Sequence, residues 1–343
     1  MKPLIGLALG LMVSLGLAGL AGENPWHVLM VLTRSAFGST YDLGLALFYT
    51  TSFLFTGLSV SMAFHAGLFN IGAEGQLTVG TISAAWFAVA FPEMSVAVAP
   101  WLIALVGLTA GALWGLIPGW LKAYRGSHEV IVTMMMNFIA AAFASYVALE
   151  LIKNPESQNP ESKVIPTNFM FREFDFVHDF FQESPANLSL LIAVLAAVLC
   201  YLFLYRTVWG YEIRASGQNE TASEIAGIQS RKMKVLAMTL AGALAAGVAL
   251  NEVLGSAGRY QIGFSADYGF VGIAVALLAR NHPLGILASA FLFGALQKGA
   301  SDLDIETEFI TRDFARVIQA ILIFSVAALY FMDFKSFGKR KKS

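Results

Sequence analysis

Residues 100–121 read Pro100-WLIALVGLTAGALWGLIPGW-Leu121 and contain no charged side chain. Wound as an α-helix at about 1.5 Å per residue, the stretch reaches roughly the 30 Å of a bilayer's hydrocarbon core. Leu43–Phe64, Val130–Ile152, Leu188–Tyr205 and Phe314–Met332 are comparable blocks. Hydrocarbon offers peptide groups no water, so a lipid-exposed spanning segment has to satisfy its own N–H and C=O groups, and long apolar blocks become helices. Composition agrees: 57% of the 343 residues are hydrophobic and 13% charged, where soluble domains carry roughly 25% charged residues. Mean hydropathy is +0.66.

The chain is therefore expected to be all-α: one polytopic membrane domain over residues 1–343, with about ten transmembrane helices. Approximate spans are 4–21, 43–63, 76–91, 100–121, 130–152, 188–205, 235–254, 268–280, 284–300 and 314–332. Lys2 followed by Leu4–Ala21 has the pattern of a cleaved signal peptide as well as that of a first helix. A retained helix is preferred because the topology then closes.

Basic residues orient such a chain, since they resist translocation. Lys122 and Arg125 follow one block, the loop 206–234 holds five basic residues, and the tail after Met332 holds five more. Between Lys153 and Asn187 there are six acidic residues against three basic, and between Ser301 and Asp313 five against one. The expectation is a bacterial inner-membrane protein with both termini cytoplasmic, an external loop at 153–187 and a cytoplasmic loop at 206–234. A formal net charge of −1 offers no basic footprint for nucleic acid. The single Cys200 can form no internal disulfide, and no zinc or haem spacing exists.

One segment is unlike the rest. Phe64-His-Ala-Gly-Leu-Phe-Asn-Ile-Gly-Ala-Glu-Gly-Gln76 places Glu74, Asn70 and Gln76 among glycines 67, 72 and 75, between two apolar blocks. Polar groups at membrane depth are costly and face a pathway or a partner. Glycines permit an unwound backbone there, although an ordinary cytoplasmic turn accounts for the same residues. Gly258-Arg-Tyr-Gln-Ile-Gly263 repeats the Gly-to-Gly spacing of Gly67–Gly72, with an amide again at the fourth position. If the repeat is real, the chain has two pseudo-related halves, each with a broken helix near mid-membrane; short Gly-rich matches also arise by chance.

The run FHAGLFNIGAEGQLTVG, Phe64–Gly80, strongly resembles the signature of bacterial ABC permeases that import nucleosides, within the wider ribose and simple-sugar (branched, binding-protein-dependent type 2) superfamily. Gly126–Asn137 resembles the start of that family's next helix, Ala215–Ile228 its cytoplasmic coupling segment, and Gly255–Leu278 its second pore element. The resemblance implies a cytoplasmic ATP-binding subunit, an extracytoplasmic substrate-binding protein and a second permease subunit, often in a heterodimer. It implies coupling through Gly217, Glu220, Ala222, Glu224 and Gly227. On the residues alone, 219–228 suits a short amphipathic helix with Glu220 and Glu224 four apart, or a solvated loop.

No Gly-x-x-x-x-Gly-Lys-[Ser/Thr] phosphate loop is present, so ATP belongs to another chain. No His-Glu-x-x-His, paired catalytic carboxylates or nucleophile elbow appears either, and neither an enzyme nor a cofactor is expected. For a flat base and a polyhydroxylated ribose, Phe64, Phe69 and Tyr260 could stack, while Asn70, Glu74, Gln76, Asn137 and Gln261 could hydrogen-bond. Those amides could equally serve helix–helix contacts. The leading expectation is a nucleoside-importing ABC permease working by alternating access. A simple-sugar permease is the alternative, and an ion-coupled secondary transporter using Glu74 or Asp267 the competitor from another class.

Overall fold

The computed structural model describes residues 2–171, 176–181, 184–265 and 267–307, with a few positions between 310 and 328. The apolar block at 314–332 and the basic tail fall largely outside the described residues. What is described is almost wholly helical: α1 (Lys2–Leu20), α2 (Pro25–Phe37), α3 (Thr40–His65), α4 (Ala73–Ala90), α5 (Ala99–Arg125), α6 (Glu129–Tyr146), α7 (Phe176–Phe180), α8 (Ser189–Arg206), α9 (Val208–Gln218), α10 (Glu220–Ile225), α11 (Ser230–Ala246), α12 (Tyr268–Leu278) and α13 (Pro283–Glu306). Helix α6 runs on into a π-helical turn, Val147–Leu151, and α11 is followed by a second, Leu250–Ala257. By length and composition, six of the described helical segments are able to cross a membrane. The chain is an integral membrane protein.

Local chemistry sets the helix starts. Asn24 caps α2, its Oδ1 accepting from Trp26 N at 2.9 Å ahead of Pro25, and Ser39 caps α3 by accepting from Asp42 N at 3.0 Å. Helix α5 ends where Lys122 and Arg125 complement its C-terminal dipole and Gly126 turns left-handed, φ 67°.

Helices α5 and α11 cross closely. Gly107, Gly111, Gly115 and Gly119 repeat every four residues and so line one stripe of α5. A Cβ at Gly111 would lie 2.6 Å from Gly242 O, and one at Gly119 would lie 2.8 Å from Met238 Cβ. Small residues let helix backbones approach in lipid, where packing rather than water expulsion drives association. Phe53, Leu54, Leu58, Met238, Ala241, Val275 and Phe293 are buried in the core that α3, α11, α12 and α13 share.

Two interruptions shape the interior. Helix α3 ends at His65, and the chain then doubles back: Asn70 Nδ2 donates to Ser59 Oγ at 3.3 Å. Ser59 stands six residues before His65, roughly 9 Å back up the helix. Helix α4 thus starts inside the bundle rather than at its edge. The second interruption runs the other way. After the π-helical turn the chain reaches Gly258 (φ 62°) at the face holding loop 153–170, where Ile165 N donates to Gly258 O at 2.8 Å. It then returns inward to start α12 beside Phe53, halfway along α3, with the Phe53 and Tyr268 rings 5.5 Å apart. Two half-elements therefore enter from opposite faces, and both begin a helix at mid-depth.

Candidate translocation site

The starts of α4 and α12 abut. The backbones approach so closely that a Cβ on Gly269 would overlap Glu74 N and Cα and Ala73 C. The Glu74 carboxylate bridges them, accepting from Gly269 N at 2.7 Å and from the Ser265 hydroxyl. An acid at a helix N-terminus meets unsatisfied N–H groups and the positive end of the helix dipole, which is what a costly intramembrane carboxylate requires. Glu74 remains half-buried. An ordinary water-exposed turn does not describe Asn70 and Gln76, which are 1% exposed.

The remaining residues of the first element hold its backbone. Asn70 Nδ2 donates to Gln76 Oε1 at 2.9 Å, Gln76 Nε2 donates back to Asn70 Oδ1 at 3.2 Å, and Gly72 N donates to the same oxygen at 3.0 Å. Asn137, reaching across from α6, accepts from Gly75 N at 2.9 Å and donates to Ile71 O at 3.0 Å. Asn70 and Asn137 thus satisfy backbone groups at the start of α4 that have no partner within the helix, and Gln76 fixes the Asn70 amide. Phe64 and Phe69, both half-buried, flank the turn with rings edge to face at 5.1 Å.

The second element is fastened to the outer loop. Glu161 pairs with Arg259 Nη1 at 2.9 Å and accepts from Gln261 Nε2 at 3.2 Å, while Tyr260 N donates to Ser162 Oγ at 2.9 Å. Tyr260 is buried with its ring 5.5 Å from Phe264, and Gln261 is exposed. The structure therefore brings Asn70, Glu74, Gln76 and Asn137 together, and holds Tyr260 and Gln261 at the outer loop.

At the opposite face lies the loop after α8. Asn219 caps α10 by accepting from Ala222 N at 3.0 Å, and Glu220 pairs with Lys234 of α11 at 2.6 Å. Ala222, Glu224 and Gly227 are exposed, and Ile225 is 84% exposed. Gly217 is not on that surface: it packs against the start of the first unwound segment, and a Cβ there would overlap His65 O. A second buried cluster centres on Asn251, a residue the sequence marks as a candidate solute contact. Its amide donates to Phe48 O (3.0 Å) and Ser52 Oγ (2.9 Å) and accepts from Asn187 Nδ2 (2.9 Å) and Ser189 Oγ (3.0 Å). The dipeptide Asn251-Glu252 inside an apolar block stands out in the sequence, whereas its partners Asn187, Ser189 and Ser52 carry no such signal.

Interrupted helices meeting at mid-depth, with polar groups turned inward, define a membrane transport protein rather than a scaffold. Residues 43–327 match the family model described as the branched-chain amino acid transport system / permease component. The chain belongs to that family and is an ABC transporter permease. It is 35% identical to the nucleoside ABC transporter permease protein NupB of Lactococcus lactis subsp. cremoris, over 96% of this chain and 91% of that one. It is also 35% identical to the guanosine ABC transporter permease protein NupP of Bacillus subtilis, over 99% and 96%. The glucose ABC transporter permease protein TsgB13 of Haloferax volcanii is 29% identical, over 91% and 83%. A subunit of this family is not itself catalytic; it works with an ATP-binding subunit and a substrate-binding protein.

Proposed function

We propose that this chain imports nucleosides across a bacterial inner membrane, alternating access about the junction of α4 and α12. The observation that carries this reading is the 35% identity, over nearly the whole chain, to permeases named for nucleosides and for guanosine. The junction suits the chemistry. Glu74 is an acceptor for ribose hydroxyls or base N–H groups, and the half-buried Phe64–Phe69 pair offers an aromatic face for a base. Asn70, Gln76 and Asn137 act by holding the unwound backbone in place, and Tyr260 and Gln261 shape the outer approach.

Both termini and the α8–α11 loop are cytoplasmic. An ATP-binding subunit docks on α10, where exposed Ile225 enters its groove and Ala222 and Gly227 permit close contact. A binding protein delivers solute over the loop 153–187. A second permease subunit completes the pathway, and this chain, with that loop, is the longer of a heterodimeric pair. The 29% identity to a glucose permease supports a second reading, transport of simple sugars.

Uptake of labelled nucleosides, with unlabelled ribose as competitor, tests the assignment in cells with and without the gene. Loss of nucleoside uptake that ribose does not compete for is the expected result. Unchanged nucleoside uptake together with lost ribose or glucose uptake would replace the reading with the sugar one.

A further inference from the structure

The end of α8 carries a side-chain cluster that the site above does not use. Tyr205, in its last turn, places its hydroxyl 3.3 Å from His65 Nε2, with the two rings edge to face. His65 Nδ1 lies 2.8 Å from Ser61 O. A carbonyl only accepts, so Nδ1 carries the proton there and Nε2 of the neutral ring accepts from the Tyr205 hydroxyl. His282, which precedes α13, has its ring 5.7 Å from Tyr205 and 5.6 Å from Tyr201. Ser61 Oγ donates to the neighbouring Asn281 O at 2.6 Å. The Arg214 guanidinium of α9 sits 4.8 Å above the Tyr205 ring, while its Nε donates to Leu204 O at 3.0 Å, and Tyr201 of α8 lies 5.3 Å from that ring.

Tyr205 thus touches three bodies at once. His65 is the last residue of the helix before the first interruption. His282 lies in the turn that follows α12, the helix of the second. Arg214 belongs to α9, which leads directly into α10. The Gly217–Gly67 contact also joins α9 to the first element, but it does not reach the second.

We propose that Tyr205 is the positioning residue that carries movement of the coupling segment to both interrupted helices, and so governs how much ATP turnover becomes transport. A flat ring held on two sides by histidines and on a third by a guanidinium has few rotamers in which to absorb a displacement. Because Gly217 still reaches the first element, loss of Tyr205 weakens coupling without abolishing it. Couplings between sites are commonly worth about 5–150-fold, and a partial loss lies within that range.

The test uses the whole transporter in proteoliposomes: this chain, its partner permease, the ATP-binding subunits and the binding protein. Three quantities are read: basal ATPase, its stimulation by binding protein, and uptake of labelled guanosine. For Tyr205→Ala, stimulation and maximal uptake are expected to fall about tenfold, with basal ATPase and the KM for guanosine unchanged. Tyr205→Phe keeps the ring contacts and is expected to stay within about threefold of the parent. Stimulation in Tyr205→Ala within about twofold of the parent overturns the proposal, as does a loss confined to KM. If Tyr205→Ala does not assemble, Arg214→Met decides in its place, and undiminished stimulation in that variant overturns the proposal equally. The inference rests on the ABC-permease class and not on the solute. A parent complex whose ATPase answers the binding protein but which imports no guanosine refutes the nucleoside reading alone.

Discussion

Asn137 offers the sharpest test of how the first interruption is held. Its side chain spans Gly75 N–H and Ile71 C=O, two backbone groups that helix geometry no longer satisfies. Asn137→Ala leaves both without that partner. Hydrogen bonds inside membrane proteins average only about 0.6 kcal/mol, because the unfolded chain in lipid finds other partners. Stranding a buried donor or acceptor costs more, about 1–3 kcal/mol each. The stranding effect dominates here, since Gly72 and Gly75 sit in closely packed backbone against α6. A loss of about 2–6 kcal/mol is expected from the two groups together. Titration of the purified chain with SDS in mixed micelles measures it. Asn137→Leu, which restores the volume but not the bonds, separates hydrogen bonding from cavity formation and is expected to lose nearly as much. If both variants lose under about 0.5 kcal/mol while the uptake KM rises, the amide serves the solute and the reasoning fails.

Other outcomes follow from the same geometry. Gly242→Val drives a Cβ into Gly111 O on α5 and is expected to abolish the monodisperse peak in detergent gel filtration; normal yield would refute the close crossing. Asn251→Leu removes a partner from Ser52 Oγ and Phe48 O, while Asn187 keeps Pro185 O and Ser189 keeps Asn187 Oδ1, and is expected to cost about 1–3 kcal/mol in the SDS titration. The outer clasp responds to acid. A hydrogen bond from Ser157, then that from Gln261 and the charge of Arg259, hold the Glu161 carboxyl below its ordinary 4.5 against the cost of its desolvation. Because the folded value is the lower, this stabilisation is complete above the unfolded value and is lost as pH falls through the folded one. Proteolysis of loop 153–165 should therefore stay slow at about pH 5 and quicken only below 4.5. Glu161→Gln should remove that dependence.

The helical membrane fold was legible because lipid imposes a length and a composition on each block. Pro100–Leu121 could hardly be anything but a long apolar helix, and Lys122, Arg125 and Gly126 marked its end. Gly111, Gly115 and Gly119 pack α5 against α11, a pairing that no local pattern in the sequence names. The cluster at 64–76 stood out because polar residues interrupt apolar sequence. Its internal arrangement did not, since reciprocal bonding of Asn70 and Gln76 depends on how far the chain doubles back beside Ser59. The meeting of Glu74 with Gly269 joins residues 195 apart, and no local pattern encodes a contact of that separation. Gly217 shows the same limit: it is the point where α9 meets the interior at Gly67, a contact across 150 residues that no local pattern encodes.

At that point Gly67 and Gly217 lay bare backbone on bare backbone, a Cβ on Gly67 falling 3.0 Å from Gly217 O. Machines lose stroke to backlash, the free play between mating parts. In proteins most of that play lies in side chains, which can swing between staggered rotamers before the main chain has to move. Two glycines in contact have none to take up. A methyl group added at either would not loosen the linkage but act as a shim, propping the joint permanently toward one end of its travel.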